Sequence, residues 1–269
     1  MKLEARNLDY GYRGHVVGRG ANLSLSAGEV VCILGPNGGG KTTLFRTLLG
    51  LIPPIEGQVL IEGMDLHASP RAAIARRVGY VPQAHFGYFP FAVQDVVLMG
   101  RTAHLSPFAV PSRRDRELAA AAIERVGLAH LADAVYTRIS GGERQLALIA
   151  RALAQATPLL VMDEPTASLD FGNQVLVLET VANLAGEGIG VLISTHDPDQ
   201  AFQCADRVVL VHRGRVTDIG PPEEGLDATR LHELYGIEVQ ISTVEVAGGP
   251  RRVCVPAAVG KQSAIFSRE

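Results

Sequence analysis

A continuous apolar segment, Val30–Leu34, runs directly into a glycine-rich stretch, and this junction constrains the fold more than any other part of the sequence. A strand without polar residues is typical of a parallel sheet that is covered on both faces. Leucines at helical spacing come after the glycines, at Leu44, Leu48 and Leu51. We therefore predict a buried strand, a tight loop and a helix that Pro53 and Pro54 terminate.

The glycine-rich stretch, residues 35–42, matches the pattern GxxxxGK[ST] in full. Glycines let backbone N–H groups approach a polyphosphate, and the start of a helix adds positive potential. Lys41 can reach the β- and γ-phosphates, and Thr42 can ligate Mg²⁺. The candidate nucleotide-binding residues are Gly35, Pro36, Asn37, Gly38, Gly39, Gly40, Lys41, Thr42 and Thr43. The motif indicates nucleotide binding without specifying the reaction.

A second apolar strand, Leu159–Met162, ends in two acids, Asp163 and Glu164. Ligands of α/β sheets bind at the carboxyl ends of the strands, which is where these acids lie. Asp163 would hold Mg²⁺, and Glu164 would orient or deprotonate an attacking water. The alternative is a solvated turn, which the presence of the phosphate motif disfavours.

Strands that alternate with helices along the chain predict a parallel α/β sheet. The other strands are expected near 57–61, 78–82, 191–194, 208–211, 237–246 and 252–256. The clearest helices are expected at 119–126, 141–156 and 173–186. Residues 84–140 are predicted to be loop-rich at first and then helical, and Gly248-Gly249-Pro250 is predicted to be a turn.

Composition excludes several classes of protein. The 269 residues carry a net charge of −3, so no basic bias indicates nucleic-acid binding. No apolar stretch approaches the ~18 uncharged residues that span a bilayer, and the first ten residues do not resemble a signal peptide. Neither export nor a membrane span is expected. The three cysteines match no metal motif, and we interpret them as buried free thiols in a reducing compartment.

Between the two phosphate-site motifs lies Ile139–Gln145, with the sequence Ile-Ser-Gly-Gly-Glu-Arg-Gln. It resembles the signature motif of ATP-binding cassette (ABC) ATPases. Four further elements match that family in order: Tyr12 resembles the adenine-stacking aromatic, Gln83 the Q-loop glutamine, Ser168-Leu169-Asp170 the D-loop and His196 the switch histidine. Each is short, but together and in order they are specific, and the resemblance covers about residues 1–220.

The resemblance implies an α/β fold with a RecA-like P-loop NTPase core built on a parallel sheet. It also implies an N-terminal antiparallel β subdomain and an inserted helical subdomain at about residues 84–150. The ATPase domain would comprise residues 1–222, and residues 223–269 would form a small C-terminal extension, whose role stays open between an accessory lobe, a dimer contact and a sensor.

The resemblance further implies ATP and Mg²⁺ as cofactors and assigns roles to individual residues. Those implied to be catalytic are Glu164, His196, Lys41 and Gln83. Those implied to bind Mg²⁺ are Thr42, Gln83 and Asp163. Those implied to contact ATP across a homodimer are Ser140, Gly141, Gly142 and Asp170. Ser140 also suits a helix N-cap, a position compatible with a γ-phosphate.

Departures from the family pattern are small. Gly39 stands where Ser, Ala or Cys is common, and Glu143 replaces the common Gln. An extra glycine should loosen the loop slightly while keeping every N–H group.

Residues 93–101 with His104 resemble the importers of metal chelates, such as iron–siderophores, haem and cobalamin. This implies integral membrane permease subunits as partners, a binding protein outside the cell and a peripheral position on the cytoplasmic face. The permease contact is expected within about 84–108, including Phe86, Phe89, Phe91 and Met99, unless these residues pack the helical lobe. Molybdate or tungstate import, a soluble assembly ATPase and a nucleotide-gated binding module without turnover remain alternatives.

Overall fold

The computed structural model of the chain describes residues 1–83, 90–106 and 108–257. In chain order its strands are β1 (Lys2–Tyr12), β2 (His15–Ser26), β3 (Val30–Leu34), β4 (Glu56–Ile61), β5 (Met64–Asp65), β6 (Val78–Val81), β7 (Leu159–Met162), β8 (Gly190–Thr195), β9 (Arg207–His212), β10 (Arg215–Gly220), β11 (Val239–Val246) and β12 (Gly249–Pro256). Its α-helices are α1 (Lys41–Leu48), α2 (Arg71–Ala75), α3 (Val93–Leu98), α4 (Arg113–Arg125), α5 (Gly141–Ala154), α6 (Phe171–Gly186), α7 (Pro198–Cys204), α8 (Pro222–Gly225) and α9 (Ala228–Tyr235). Short 3-10 helices lie at Met99–His104, Ala129–Leu131 and Tyr136–Arg138.

The central sheet has the order β10-β9-β3-β8-β7-β6, and its strands are parallel except for β10, which is antiparallel to β9. Every residue of β3 is buried. Val30, Cys32 and Leu34 pack into one hydrophobic core, whereas Val31 and Ile33 pack into the other. The prediction of a parallel strand covered on both faces is confirmed, because successive side chains point to opposite, equally apolar layers.

An antiparallel sheet of order β2-β1-β4-β5 forms the N-terminal part of the molecule. Its inward side chains, together with Leu44, Phe45 and Leu48 of α1, complete the core that holds Val31 and Ile33. The expected combination of a parallel core and an antiparallel β subdomain is therefore confirmed.

Helix α1 ends earlier than the leucine spacing predicts. Gly50 adopts a left-handed φ of 68°, and the N–H of Leu51 donates to the carbonyl of Arg46 at 2.8 Å. This bond spans six residues, as in a Schellman motif. The prediction that Pro53-Pro54 terminates the helix is wrong, because a glycine cap has already ended it, and Leu51 lies outside.

Helices α3, α4 and α5 pack together between the two phosphate-site motifs. The prediction of a loop-rich start is wrong for residues 93–104, which are helical, and α4 begins six residues before Ala119 because Ser112 and Asp115 form a capping box. A buried ion pair between Arg101 and Asp115, 2.9 Å apart, joins this region internally. Phe86 and Phe89 lie outside the described residues.

The C-terminal residues fold back onto the central sheet. Leu226, Leu231 and Leu234 join the same core as Leu34, and β11 pairs with β12 in a hairpin with its turn at Ala247-Gly248. The strands predicted in this part of the chain are confirmed. The turn predicted at Gly248-Gly249-Pro250 is wrong in its bounds, because Gly249 and Pro250 already pair with β11. Cys32 is a buried free thiol, whereas the free thiols Cys204 and Cys254 are partly exposed. No helix in the described ranges is long and apolar enough to cross a bilayer.

Candidate functional site

A cavity of about 530 Å³ opens at the carboxyl edge of the central sheet, around the glycine-rich loop. It is lined by Tyr12, His15, Val17, Asn37, Gly38, Gly39, Gly40, Lys41, Thr42, Thr43, Gln83 and Glu164. The fold thus gathers four separate parts of the sequence that predict nucleotide chemistry, because β3, β6 and β7 are parallel and their carboxyl ends meet at one edge.

Two glycines allow the loop to follow its path. Gly40 has a left-handed φ of 99°, and a Cβ there would lie 2.6 Å from Val17 Cγ1. A Cβ at Gly35 would lie 2.2 Å from the carbonyl oxygen of Val211. Gly40 is also the N-cap of α1 and offers no side chain to the first N–H groups of that helix. Those N–H groups therefore face the cavity side of the loop as ready donors for an anion.

Lys41 is buried, with 5% of its surface exposed, yet it carries a charge. Its Nζ donates to the carbonyl oxygens of Gly35 at 2.8 Å and Pro36 at 3.2 Å, and lies 2.9 Å from Glu164 Oε1. The carboxylate compensates the buried ammonium group, which would otherwise be costly. An entering polyphosphate can take over this compensation and leave the carboxylate for other chemistry.

The two acids after β7 have different surroundings. Asp163 is 1% exposed, and its Oδ1 accepts a hydrogen bond from Ser194 Oγ at 2.8 Å. Among the described residues, no donor reaches its buried Oδ2. Glu164 has a φ of 45°, and its N–H donates to the same Ser194 Oγ at 2.9 Å. The Ser194 hydroxyl thus holds both acids: it donates to the side chain of Asp163 and accepts from the backbone of Glu164.

The unpartnered oxygen of Asp163 fits a divalent cation. Buried carboxylate oxygens normally have a partner, and a missing one indicates an absent ion or water. Carboxylate and hydroxyl oxygens are the ligands that Mg²⁺ prefers, and Thr42 supplies a hydroxyl at the cavity wall. The donor set therefore suits the cation that the sequence predicts.

Three further predicted residues surround Glu164 and the cavity rim. Gln83 Nε2 lies 3.5 Å, and His196 Nδ1 3.6 Å, from Glu164 Oε2. Tyr12 lies on the rim with 44% of its surface exposed, and its hydroxyl accepts from Arg46 Nη1 at 3.2 Å. A hydrogen bond with Thr43 lowers the pKa of Tyr12. We call residues 35–43 with Gln83, Asp163, Glu164, Ser194 and His196 the phosphate-loop cluster.

The remaining predicted residues do not line this cavity within the described part of the chain; they form a second group. Ser140 is the N-cap of α5: its Oγ accepts from the Glu143 N–H, and its own N–H donates to Glu143 Oε2 at 2.7 Å. Asp170 is the N-cap of α6 and accepts from the backbone and side chain of Asn173, which lower its pKa. The amide of Asn173 fills the space where a Cβ at Gly142 would lie, 2.2 Å from its Cγ.

We call residues 140–143 with Asp170 and Asn173 the signature cluster. Sequence reasoning missed three of the residues that organise the two clusters. Glu143 had a visible signal, the capping-box spacing Ser-x-x-Glu. Ser194 had none, because it acts on residues that follow another strand. Asn173 caps its own helix through Asp170, but no local pattern marks its contact with Gly142.

The sequence matches the ABC transporter family over residues 19–167, more than half of the chain. An uncharacterized ABC transporter ATP-binding protein of Haemophilus influenzae is 44% identical, over 87% of this chain and 89% of that protein. A cobalamin import ATP-binding protein of Halobacterium salinarum, BtuD, is 41% identical over 92% of this chain and 62% of its own length. The hemin import ATP-binding protein HmuV of Pseudomonas entomophila is 38% identical, over 85% of this chain and 90% of that protein.

Solved structures agree with these relatives. An ABC transporter described as of the metal-chelate type, in an inward-facing conformation, superimposes with a TM-score of 0.85 at 32% identity and covers 95% of this chain and 97% of that one. A dimeric bacterial ABC transporter cassette, MJ0796, has a TM-score of 0.67 at 26% identity and covers 80% and 96%. Together with the clustered phosphate loop, acids, glutamine and histidine, these matches place the chain in the ABC transporter family, as an ATP-binding cassette with ATPase activity.

Proposed function

We propose that this cassette powers an importer of an iron complex or a related metal chelate, coupling ATP binding and hydrolysis to uptake through a membrane permease. The observation that carries the ATPase part is the cavity in which Lys41, Glu164 and the glycine loop meet. The import part is supported by the hemin and cobalamin import relatives and by the metal-chelate type neighbour.

At the phosphate loop, backbone N–H groups and Lys41 would hold the β- and γ-phosphates. Once a phosphate replaces Glu164 as the partner of Lys41, the carboxylate would orient a water in line with the γ-phosphate and accept its proton. Gln83 and His196 lie within 3.6 Å of that carboxylate, close enough to hold the water and the leaving phosphate. Tyr12 would stack on the adenine from the rim.

The residues that would hold Mg²⁺ are Thr42, Gln83 and Asp163. The bound cation would neutralise charge on the β- and γ-oxygens as the bond breaks. Ser194 keeps one oxygen of Asp163 occupied, which leaves Oδ2 for the metal.

We propose that the active form is a homodimer in which each ATP lies between the phosphate-loop cluster of one copy and the signature cluster of the other. The separation of the two clusters within a single chain supports this arrangement, as does the dimeric cassette among the structural neighbours. Closure around two ATP molecules would bring Ser140, Gly141, Gly142 and Asp170 onto the γ-phosphate side.

The permease contact would lie beside the Q-loop, with the cassette at the cytoplasmic face of the membrane and a binding protein delivering cargo outside. Phe91 and Met99 are each 44% exposed, and Met99 borders a cavity of about 410 Å³ between α2 and α5. Exposed apolar side chains around a groove suit a protein partner. We propose domain limits of 1–222, with a helical subdomain at about 84–150, and 223–269 for the extension.

The direct test compares ATP turnover of the wild-type chain with that of Glu164→Gln, together with the molecular mass in solution with and without Mg-ATP. Glutamine keeps the shape of the side chain but cannot accept a proton, so turnover should fall about 10²- to 10⁴-fold while an ATP-bound dimer accumulates. Turnover that survives the substitution, or its absence from both proteins together with an unchanged mass, would refute the proposed mechanism.

Cargo and partner need a second test: affinity purification of the tagged chain from membranes, followed by ATPase assays of the captured complex in the presence of haem, cobalamin, a ferric siderophore or molybdate. Capture of integral membrane subunits and stimulation by a metal chelate would support the proposal. Stimulation by molybdate would move the cargo to oxyanions, and capture of soluble partners alone would indicate an assembly ATPase.

A further inference from the structure

Two hydrogen bonds connect the C-terminal part of the chain to the loop after β8, which we call the switch loop (residues 195–199). The hydroxyl of Tyr235, the last residue of α9, donates to the carbonyl oxygen of His196 at 2.8 Å. On the far side of the loop, the N–H of Cys254 in β12 donates to Asp199 Oδ1 at 2.7 Å. The C-terminal residues therefore hold the switch loop at the carbonyl of His196 and again three residues later, at Asp199.

Bonds inside the switch loop hold the N–H groups of Asp197 and Asp199, and the first of these N–H groups belongs to the same peptide as the His196 carbonyl. The N–H of Asp197 donates to Thr195 Oγ1 at 3.1 Å, and the N–H of Asp199 donates to Asp197 Oδ1 at 2.9 Å. Among the described residues, Tyr235 is the only side chain with a hydrogen bond to the His196 carbonyl. The His196 peptide is thus held at both ends: Thr195 inside the loop accepts from its N–H, and Tyr235 outside the loop donates to its carbonyl.

The side chain of His196 needs such support because little else restrains it. About half of its surface is exposed, and its Nδ1 lies 3.6 Å from Glu164 Oε2, too far for a hydrogen bond. The backbone sets the direction of the Cα–Cβ bond and the rotamers that a side chain can adopt. The peptide that Thr195 and Tyr235 hold therefore limits the directions in which the ring can point.

Tyr235 is well suited to donate a hydrogen bond to that peptide. Its side chain is partly buried and packs against the hydrophobic core, which restricts the position of the hydroxyl. Burial raises the pKa of Tyr235 far above its usual range, so the hydroxyl keeps its proton at any physiological pH. The hydroxyl can therefore donate to the His196 carbonyl throughout this pH range.

We propose that Tyr235 is a positioning residue for ATP hydrolysis: through the His196 carbonyl, the C-terminal extension sets the direction of the imidazole toward Glu164 and the γ-phosphate. This goes beyond the proposed function, which assigns the extension no role, and it rests on the catalytic role of His196. It gives residues 228–256 a task in the reaction although they lie outside every motif of the phosphate site.

The test compares Tyr235→Phe with the matched control Arg252→Met in the full-length chain. Tyr235→Phe removes only the hydroxyl. Arg252→Met also removes a hydrogen bond of the C-terminal hairpin, from Arg252 Nη1 to the Glu223 carbonyl at 2.6 Å, but this bond does not involve the switch loop. Each protein is measured for kcat, KM for ATP, Tm and amide hydrogen exchange of Asp197, whose N–H belongs to the same peptide group as the His196 carbonyl.

We expect Tyr235→Phe to lower kcat about three- to tenfold, which is the effect of one neutral hydrogen bond. KM should change less than about twofold. Amide exchange of Asp197 should become faster by about three- to tenfold. Arg252→Met should change neither kcat nor Asp197 exchange. Equal effects of the two variants, or faster exchange with unchanged kcat, would overturn the inference. If the wild type itself shows no turnover, the proposed function fails, while the exchange comparison still decides whether Tyr235 holds the His196 peptide.

Discussion

The phosphate-loop cluster and the signature cluster are built on opposite principles. In the first, charged side chains are buried and held by partners from several strands: Lys41 is 5% exposed and Asp163 1%. In the second, Ser140, Gly141 and Asp170 are exposed, and the caps of α5 and α6 are satisfied by their own helices. The first cluster therefore suits a charged ligand bound within its own chain. The second is an exposed surface whose hydrogen bonds are already satisfied, which suits contact with another molecule.

This difference is what the proposed homodimer requires, because a single chain would then supply only part of each ATP site. The buried Lys41 favours binding of a phosphate, and the buried Asp163 oxygen without a hydrogen-bond partner favours binding of a cation, both within one chain. The signature cluster creates no such demand, because its helix starts are already capped. In the proposed dimer it would contribute once closure brings a nucleotide to it.

Removing the buried positive charge of Lys41 should weaken nucleotide binding strongly. We expect Lys41→Met to weaken ATP binding about a hundredfold, because charged hydrogen bonds to phosphate are lost and Glu164 is left without its partner. Titration with a fluorescent ATP analogue in the presence of Mg²⁺ measures this. The control is Lys2→Met, which removes an exposed ion pair with Glu4 and should bind normally. A loss below tenfold for Lys41→Met would argue against a phosphate-prepared cluster.

The hydroxyl that joins the two acids should matter for turnover more than for folding. We expect Ser194→Ala to lower kcat about tenfold and to raise the Mg²⁺ concentration required, because Asp163 and Glu164 lose their common partner. Turnover measured across a range of Mg²⁺ concentrations checks this.

Ser69→Ala removes a hydroxyl that donates to the Asp65 carbonyl in an exposed turn, and it serves as the control. If Ser194→Ala and Ser69→Ala showed the same Mg²⁺ dependence, the bridge between the acids would have no functional role.

The two clusters should complement each other only across a dimer. Among the described residues, and apart from its chain neighbours and the backbone of α5, no atom lies within 4 Å of a Cβ placed at Gly141. Gly141→Asp therefore fits its own chain but would repel a phosphate in the partner's site. Lys41→Met and Gly141→Asp should each be inactive alone. Mixed in equal amounts, they should recover roughly a quarter of wild-type turnover, because random pairing puts one intact site into half of the dimers.

Gly141→Ala is the uncharged control for that mixing experiment and should retain activity. A mixture as inactive as its components would contradict the placement of the signature cluster on the partner's nucleotide.

The smallest effect should come from the capping box of α5. Hydrogen bonds from the Ser140 backbone and hydroxyl lower the pKa of Glu143, so its contribution to stability is present above the unfolded pKa and is lost as pH falls through the lowered value. We expect Glu143→Gln to lower Tm on the order of 1 °C at neutral pH. The difference should shrink as the pH falls below the ordinary pKa of a glutamate and vanish once the pH is below the lowered pKa of Glu143. Melting curves at several pH values measure it, and a difference that persists at low pH would refute the capping role.

Much of the phosphate-loop cluster could be predicted because its chemistry is local in the chain. A loop that wraps phosphate needs glycines, a lysine and a hydroxyl at fixed spacing, and an acid at a strand end needs only the strand before it. The buried strand Val30–Leu34 was equally accessible, since a run without polar residues can only be covered on both faces. Helix boundaries were less accessible: α1 ends at a glycine cap and α4 begins at a capping box, and both depend on backbone geometry that apolar spacing does not encode.

The nucleotide motif, the paired acids, the signature motif and the alternation of strands and helices can all be recognised in the sequence alone. Three contacts appear only in the folded chain: Ser194 bridges the acids, Asn173 fills the space at Gly142 and Tyr235 binds the His196 carbonyl. Each of these contacts joins residues from different elements. The register of β7 beside β8, the packing of α6 against α5 and the packing of α9 on the core bring them together. No local sequence pattern predicts such a contact, because the partner residue is distant in the sequence and comes close only through tertiary packing.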